Sequence, residues 1–449
     1  MVKIIQISKN KTLENNKIYD IIGIGIGPFN LGLAALLEPV GSIDSLFLDQ
    51  AEGFDWHPGL MLDNATLQVP FMADLVTMAD PKSKYSFLNF LKETDRLYKF
   101  FIREDFFILR KEYNLYCQWT ANQLKNCLFG KKVENITFNE TEKIYIIEVL
   151  DLKNNDVTKY YTKKLSLGTG TQPKLPEFMK DKNYPNVIHT SEYLNHKEEI
   201  LNSKSVSIIG SGQSAAEIFQ DLLPETDDNL FMSWFTRPDR FFPMEYSKLT
   251  LELTSPEYVD HFYQMPSNQR KNILAKQHPL YKGINFDLIN DIFDTMYEMS
   301  VGNVPLHVEL KPSCQLDSIS PEGNSYVLNF THVQDVATFA HTSDYVILAT
   351  GYTYNEPKFL KAIENQIQRN EDGLFDVSRD YTIDNEKNIF VQNAELHTHG
   401  FVTPDLGMCA YRNAIIINSI AGKEIYKVEK RIAFQQFNTS KEWIAKHSS

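Results

Sequence analysis

Two glycine-rich turns with the spacing of phosphate-binding loops occur in this chain of 449 residues. The first covers residues 23–28 (GIGIGP), and the second covers residues 210–215 (GSGQSA). Glycines in such a turn let the backbone approach a pyrophosphate, whose charge is met by N–H groups at the start of the following helix. One such turn indicates a nucleotide site. Two of them favour electron transfer between two dinucleotides.

Each turn lies between an apolar strand and an apolar helix, which is the context expected of a true dinucleotide site. Residues 19–22 (YDII) precede the first turn, and apolar residues at helical spacing follow it as far as Pro39. Residues 206–209 (VSII) precede the second turn, and another apolar helix follows it. The sequence therefore predicts two separate dinucleotide sites.

The charged residue that follows the next strand differs between the two sites. Asp49 closes the strand at residues 45–48, where a dinucleotide fold places the carboxylate that accepts ribose hydroxyls. Arg237 follows the strand at residues 232–236, and an arginine there suits a ribose that carries a 2′-phosphate. We therefore assign FAD to the first site and NADPH to the second.

These elements predict an α/β fold with two Rossmann-like dinucleotide-binding domains and a small helical substrate region. Residues 344–348 (DYVIL) form a strand that we expect to return the chain to the first sheet, and residues 168–173 (GTGTQP) form the matching exit. The FAD domain is then discontinuous. The predicted parts are residues 1–200 (FAD domain, first part), 201–340 (NADPH domain, with a helical substrate-covering insertion at about 241–301) and 341–449 (FAD domain, second part, with a substrate-site segment).

The composition excludes several classes of function. A formal charge of −13 disfavours nucleic acid and anionic membranes as partners. No segment approaches the roughly 18 apolar residues of a membrane span, and residues 1–17 are polar without the apolar core of a signal peptide, so we expect a cytoplasmic protein. The four cysteines form no CxxC pair, and His57, His397 and His399 lack the accompanying pattern of a metal site, so we predict no metal.

Several short motifs, in order along nearly the whole chain, resemble those of the flavin-dependent N-hydroxylating monooxygenases of siderophore biosynthesis. These enzymes are the lysine, ornithine and diamine N-hydroxylases. The segments at residues 71–74 and 280–284 are most similar to the putrescine and cadaverine hydroxylases. The other matching motifs are residues 23–31 (GIGIGPFNL), 56–59 (WHPG), 87–91 (FLNFL), 210–217 (GSGQSAAE), 348–352 (LATGY) and 398–400 (THG) with Arg412.

The resemblance implies a reaction. NADPH reduces FAD, oxygen adds to give a C4a-hydroperoxyflavin that bound NADP⁺ protects, and a primary amine attacks the distal oxygen to become a hydroxylamine. Such a site must hold the amine neutral and close to the peroxide while excluding water, and a closed, mostly apolar pocket meets these needs.

The resemblance also implies cofactor contacts. Gln68 would lie beside the flavin, and Arg110 would lie near both flavin and nicotinamide. We assign no certain catalytic residue, because the flavin itself carries the difficult chemistry. The predicted cofactor-binding residues are Gly23, Gly25, Gly27, Pro28, Asn30, Asp49, Trp56, His57, Gln68, Arg110, Gly210, Gly212, Gln213, Ser214, Arg237, Thr350 and Tyr352.

Two departures from the family pattern bear on the substrate. Ala73 stands where the amino-acid hydroxylases have a lysine that binds the substrate carboxylate, and Leu251 aligns with their asparagine. A buried carboxylate without partners is costly, so we expect an amine that lacks one, such as putrescine or cadaverine. Asp405 would hold the distal ammonium, or it is only a helix cap or loop carboxylate. Histamine fits the same argument, because it also lacks a carboxylate. If Lys248 instead binds the substrate carboxylate, the substrate would be lysine or ornithine.

Other functions remain open at this stage. Another two-dinucleotide flavoprotein is one alternative, although a disulfide reductase would need a CxxC pair. A sulfur- or carbon-oxidising monooxygenase is only partly matched by residues 187–191 (VIHTS). A flavin-binding sensor without turnover is another. The resemblance further implies a homo-oligomer, a tetramer, that acts on a small amine and O₂.

Overall fold

The computed structural model describes residues 17–439 of the chain. Residues 1–16, which make up most of the polar N-terminal segment, lie outside the described residues, as do residues 440–449. No helix within the described range is long and apolar enough to cross a membrane.

The first glycine turn leaves a five-stranded parallel sheet. Its central strands are buried apolar runs, because helices pack on one face and strands Lys131–Asn139 and Ile144–Asp151 pack on the other. Helix Pro28–Leu37 follows the turn and packs against two later helices, Arg110–Gln123 and Cys409–Ala421. The strand order is Ile389–Val391, Leu165–Leu167, Ile21–Ile24, Ser45–Leu48 and Cys127–Leu128.

The second glycine turn leaves a separate parallel sheet, also of five strands. The strand order is Val187–His189, Tyr345–Leu348, Ser205–Ile209, Phe231–Phe235 and Val308–Lys311.

The prediction that residues 344–348 return the chain to the first sheet is wrong. Strand Tyr345–Leu348 lies between Val187–His189 and Ser205–Ile209 in the second sheet, and the strand that returns to the first sheet is Ile389–Val391. A continuous apolar run fits either parallel sheet equally well. Only the pairing partners decide which sheet it joins.

The predicted domain boundaries at residues 200 and 340 shift accordingly. The second unit includes Val187–His189 before the first boundary and Tyr345–Leu348 after the second. The chain crosses between the units through two linkers. These linkers are adjacent, since Gln172–Pro173 of one pairs antiparallel with Tyr352–Thr353 of the other. Residues 168–173 therefore do form the predicted exit from the first sheet.

Two further sheets, largely antiparallel, complete the units, and neither was predicted from the sequence. One contains Ile18–Tyr19, Val157–Thr162, Ile144–Asp151 and Lys131–Asn139. In this sheet, Ile18–Tyr19 pairs parallel with Val157–Thr162. The other contains Cys314–Glu322, Ser325–His332 and Ala337–Ser343, and it packs on the second sheet through the stacked rings of Phe235 and Phe330. A two-stranded pair, Thr66–Pro70 with Phe107–Leu109, carries Gln68.

The segment at residues 241–301 is helical, as predicted. It contains helices Lys248–Leu251, Pro256–Gln264, Ser267–Lys276, Pro279–Lys282 and Phe286–Met299. The remaining α-helices are Phe87–Glu93, Leu97–Arg103, Tyr193–Leu201, Gln213–Leu222 and Leu396–His399. Short 3₁₀ helices cover Pro58–Leu60, Glu177–Met179, Thr190–Glu192, Leu223–Glu225, Lys358–Gln366 and Leu406–Met408.

Candidate functional site

The first glycine turn has the geometry of a pyrophosphate cradle. Gly25 has a φ of +87°, and a Cβ placed on it would lie 2.3 Å from the carbonyl oxygen of Gly168. A Cβ on Gly23 would lie 2.2 Å from the ring of Phe47, whereas one on Gly27 would meet no described atom within 4 Å. The backbone is therefore close-packed behind the turn and open in front of it.

Helix Pro28–Leu37 begins at this turn, and no side chain caps its N-terminus. Pro28 occupies the first helical position, where the missing N–H costs nothing. The remaining free N–H groups and the helix dipole suit a phosphate, so the residues present fit FAD.

Asp49 and Asn30 hold the first turn in shape. Asp49 accepts hydrogen bonds from the N–H groups of Ile26 (2.6 Å) and Ala51 (2.8 Å), and its oxygens retain lone pairs for ribose hydroxyls. Asn30 is fully buried, and its amide donates to the carbonyl of Gly25 at 2.8 Å. Its Oδ1 accepts from Ser166 and Gln392. The predicted role of Asn30 is corrected: its side chain supports the turn and does not face a cofactor.

Gln68, Trp56 and His57 are three of the predicted cofactor-binding residues of the first unit. The Nε2 atom of Gln68 is buried without a hydrogen-bond partner among the described residues, which is expected of a donor that serves a bound group. The Trp56 ring packs edge-on against Tyr113, with centroids 5.3 Å apart. His57 adopts a left-handed backbone (φ 53°), and desolvation followed by the charge of Arg110 lowers its pKa to about 4. His57 is therefore neutral near pH 7.

The second glycine turn repeats the cradle. A Cβ on Gly210 would lie 2.3 Å from the carbonyl oxygen of Ala349, and helix Gln213–Leu222 starts after Gly212 without a side-chain cap. Ser214, the second helical residue, is partly buried. Arg237 is exposed directly after strand Phe231–Phe235.

Two lysines that we did not predict join Arg237 near the second turn. The carbonyl oxygen of Lys282 lies 3.5 Å from the Cβ position of Gly212. Burial and the charge of Lys174 lower the pKa of Lys282, and the charges of Lys282 and Arg237 contribute to a lowered pKa of His278. These cations fit the phosphates of NADPH. Lys282 belongs to the motif at residues 280–284, but only the fold brings this lysine to the second turn.

Arg110 reaches the boundary between the units, although not as a free side chain. Its guanidinium forms two hydrogen bonds to Glu217, at 2.7 and 3.0 Å, and a third to the carbonyl of Leu60. Gln213 donates to the same carboxylate at 2.9 Å, and its Oε1 accepts from the N–H of Asn285. Both predicted cofactor residues therefore have protein partners. Glu217 was not singled out as a functional residue from the sequence.

Thr350 and Tyr352 lie on the linker that leaves the second unit. The Thr350 hydroxyl donates to the carbonyl of Lys174 on the other linker. The Tyr352 ring packs edge-on against His57 at 5.7 Å and against His189 at 5.0 Å. Tyr352 thus contacts His57 of the first unit and His189 of the second.

Ala73 and Asp405, far apart in the chain, both lie next to Gly407. A Cβ on Gly407 would lie 3.2 Å from Oδ1 of Asp405 and 3.9 Å from Cβ of Ala73. Asp405 accepts one hydrogen bond, from the N–H of Gly407 at 2.7 Å, and burial raises its pKa. Burial, followed by the negative charge of Asp405, raises the pKa of Tyr246.

Lys248 and Leu251 lie on the short helix Lys248–Leu251, and both side chains are exposed. Among residues 17–439, neither of them forms a side-chain hydrogen bond or ion pair with Asp405. The C-terminal segment ties this region down, because Glu252 accepts from the N–H groups of Phe434 and Gln435. Glu257 likewise accepts hydrogen bonds from the N–H groups of Ile432 and Ala433.

Gln68 and Tyr246 open onto a cleft of about 1090 Å³. The helix of the second glycine turn forms one wall through Gln213 and Glu217, and residues 61–66 of the first unit form another. The cleft therefore runs between the two units at the place where two dinucleotides would meet.

The C-terminal motif forms a buried ion pair and no metal site. Arg412 lies 3.1 Å from Glu395, and its guanidinium packs over the ring of Phe29 beside the first turn. His397 and His399 hydrogen-bond to the backbone carbonyls of Phe375 and Arg379. Within residues 17–439, no group of three His, Cys, Asp or Glu side chains is arranged to hold a metal.

Comparisons with known proteins decide the family. The model of the L-lysine 6-monooxygenase/L-ornithine 5-monooxygenase family matches residues 17–354. The chain belongs to this family of flavin-dependent N-hydroxylating monooxygenases. This result confirms the predicted family, the α/β fold with two dinucleotide domains, and FAD and NADPH as cofactors.

Three relatives show how far the similarity extends. A putrescine N-hydroxylase from Shewanella oneidensis is 47% identical over 94% of this chain and 84% of its own length. A putrescine N-hydroxylase from Acinetobacter baumannii is 46% identical over 96% of both chains. The FAD-bound crystal structure of a cadaverine monooxygenase of desferrioxamine biosynthesis from Erwinia amylovora has a TM-score of 0.92 and 46% identity, over 95% of this chain and 99% of that one.

Proposed function

We propose that this enzyme N-hydroxylates a diamine that lacks a carboxylate, putrescine or cadaverine, and supplies an N-hydroxyamine for hydroxamate siderophore biosynthesis. The observation that carries this proposal is that Ala73 and the carboxylate of Asp405 both lie within 4 Å of the Cβ position of Gly407. In this proposal, the carboxylate of Asp405 would bind the distal end of the substrate, where an amino-acid substrate would need a cation. The relatives named for putrescine and cadaverine support the same substrate class.

Asp405 is suited to bind an ammonium group. Burial raises its pKa because only one backbone N–H and the more distant charge of Arg412 stabilise the ionised form. In the folded state without substrate, ionised Asp405 is therefore disfavoured, and its contribution to stability falls as the pH rises through its raised pKa. A bound ammonium would stabilise the ionised carboxylate of Asp405 and so offset the cost of burying its charge.

The chain's own residues would hold and orient the reactants. When bound, FAD accepts a hydride from NADPH and activates O₂; one oxygen atom enters the hydroxylamine and the other leaves as water. The Gly23–Gly27 turn and Gln68 would hold FAD, and Gly210, Gly212 and Arg237 would hold NADPH. Neutral His57 would add no positive charge beside the flavin.

The direct test measures hydroxylamine formation by purified enzyme with NADPH. The panel contains putrescine, cadaverine, histamine, lysine and ornithine, and peroxide is measured in parallel to detect uncoupled turnover. We expect putrescine or cadaverine to give the highest kcat/KM. Faster hydroxylation of lysine or ornithine would refute the interpretation of Ala73, and the absence of hydroxylamine from every amine would favour a flavin-binding sensor.

The variant Asp405→Asn tests the proposed ammonium partner, since asparagine can still accept the hydrogen bond of Gly407. A hydrogen bond between charged groups contributes about 1.5–3 kcal/mol, so we expect KM for the diamine to rise about 10- to 100-fold. In the wild type, KM should fall as the pH rises through the raised pKa of Asp405, because only the carboxylate attracts the ammonium. Asp405→Asn should lose this dependence.

Asp291→Asn is the matched control, because Asp291 lines the cleft of about 1090 Å³, whose lining includes neither Asp405 nor Ala73. It should leave KM unchanged. If Asp405→Asn also leaves KM unchanged, Asp405 is only the cap of its 3₁₀ helix. Lys248→Ala examines the competing assignment: a selective loss of activity on lysine or ornithine would make Lys248 a carboxylate partner.

We further propose a cytoplasmic homotetramer. Two separate helices expose aromatic side chains, Tyr98 and Phe101 on one, and Phe293 and Tyr297 on the other. A tetramer with two kinds of two-fold interface needs two such surfaces. Light scattering on the eluting enzyme measures the mass, and cell fractionation measures the location. A monomer with unchanged activity would refute the assembly.

A further inference from the structure

The ion pair between Arg110 and Glu217 crosses the boundary between the two dinucleotide-binding units. Arg110 begins helix Arg110–Gln123 of the first unit, and Glu217 lies on helix Gln213–Leu222 of the second. The two side chains are only 12% and 4% exposed. A bidentate pair between a guanidinium and a carboxylate is strong and directional, and burial protects it from screening by salt.

Each partner is also fixed from its own side. The guanidinium of Arg110 donates to the carbonyl of Leu60 at 3.2 Å, and its backbone N–H donates to Ala65 at 2.7 Å. On the other side, Glu217 accepts from Gln213, which in turn binds the N–H of Asn285. A continuous hydrogen-bonded path therefore runs from the loop before Gln68 to the helix of the second turn.

We propose that Glu217 is a positioning residue for flavin reduction. It holds Arg110 and so keeps the second dinucleotide site in one position relative to the first. Glu217 lies one helical turn beyond Gln213, the first residue of the helix whose start would bind the NADPH pyrophosphate. Hydride transfer requires reacting atoms about 3–3.5 Å apart, and a misplacement of 1 Å can cost about 100-fold in rate.

The test is Glu217→Gln in the FAD-loaded enzyme. Glutamine keeps the size of the side chain but removes the charge that orients the guanidinium. We expect flavin reduction by saturating NADPH, followed without oxygen at the flavin absorbance, to slow by about tenfold or more. FAD content and the reaction of dithionite-reduced enzyme with O₂ should stay as in the wild type.

A second readout does not depend on turnover. Hydrogen–deuterium exchange at residues 60–66 should become faster in Glu217→Gln, because this loop loses its link to the second unit. Glu217→Asp keeps the charge on a shorter side chain and should give an intermediate reduction rate. This variant also serves as the test if glutamine lowers the FAD content.

Glu112→Gln is the matched control. Glu112 is a buried carboxylate on the same helix as Arg110 and pairs with Arg96 at 2.6 Å within the first unit. It should leave flavin reduction and exchange at residues 60–66 unchanged. Wild-type reduction in Glu217→Gln, or equal slowing in both variants, would overturn the proposal. This inference relies only on FAD and NADPH as cofactors. Failure to hydroxylate a diamine would therefore refute the proposed function but not the positioning role of Glu217.

Discussion

The two dinucleotide sites share one plan but differ in how much protein surrounds the helix that follows the turn. In the first, nine of the ten residues of helix Pro28–Leu37 are buried, and Asn30 joins the turn to two other chain segments. In the second, six of the ten residues of helix Gln213–Leu222 are buried. Its remaining face lines the cleft of about 1090 Å³.

This difference matches what each cofactor must do. A flavin stays in place through many turnovers, so a site enclosed by packed protein suits it. A nicotinamide cofactor must enter and leave in each turnover, so one open wall and exposed cations such as Arg237 suit it. We infer that damage to the first turn removes the flavin, whereas damage to the second turn affects only the exchange of NADPH.

The largest effect is expected from Gly25→Ala. The positive φ of Gly25 and the 2.3 Å approach of its Cβ position to Gly168 combine backbone strain with a clash against main chain. We expect purified protein with little or no FAD, as measured by absorbance near 450 nm, and a lower Tm. Gly41→Ala, whose Cβ would meet no described atom within 4 Å, should retain FAD. Full FAD content in Gly25→Ala would contradict the enclosed first site.

Gly210→Ala should have a smaller and different effect. Its Cβ would lie 2.3 Å from the carbonyl oxygen of Ala349, so the second turn must shift. We expect normal FAD content but a KM for NADPH raised by about tenfold or more, since overpacking costs about 1–3 kcal/mol. Titration of the oxidised enzyme with NADP⁺ should show the same loss. If FAD is lost as well, the two sites are not independent.

Arg237→Ala should change coenzyme preference. Removing a charged hydrogen bond to the 2′-phosphate costs about 1.5–3 kcal/mol, so the ratio of kcat/KM for NADPH over NADH should fall about 10- to 100-fold. Arg240→Ala is the control, because Arg240 is exposed nearby and pairs with Asp239. An unchanged ratio in Arg237→Ala would assign the phosphate to Lys282 or Lys174 instead.

The smallest effect concerns His57, which lies between the two sites. Its pKa of about 4 is below that of an unfolded histidine, so its contribution to stability is present above about pH 6.5 and is lost as the pH falls towards 4. In His57→Gln, the decrease of Tm between pH 6.5 and pH 4 should be smaller than in the wild type. An equal decrease would show that His57 is protonated at little cost.

The local sequence was sufficient where a function depends on consecutive residues. Both cradles, the flanking strands and the helical segment at residues 241–301 were predictable, because backbone conformation and apolar periodicity are local properties. It was insufficient for strand Tyr345–Leu348, since a fully apolar run carries no mark of the sheet that it joins. Asn30 was assigned to the cofactor because sequence cannot show which way a polar side chain points.

The sequence by itself determined the family and its two cofactors, and it predicts FAD at the first turn and NADPH at the second. Tertiary structure alone decided which distant residues come together: Glu217 pairs with Arg110, and Asp405 and Ala73 both lie next to Gly407. The physical reason is that a glycine turn encodes its ligand within a few consecutive residues. The role of a buried carboxylate depends instead on whether folding places a positive charge beside it.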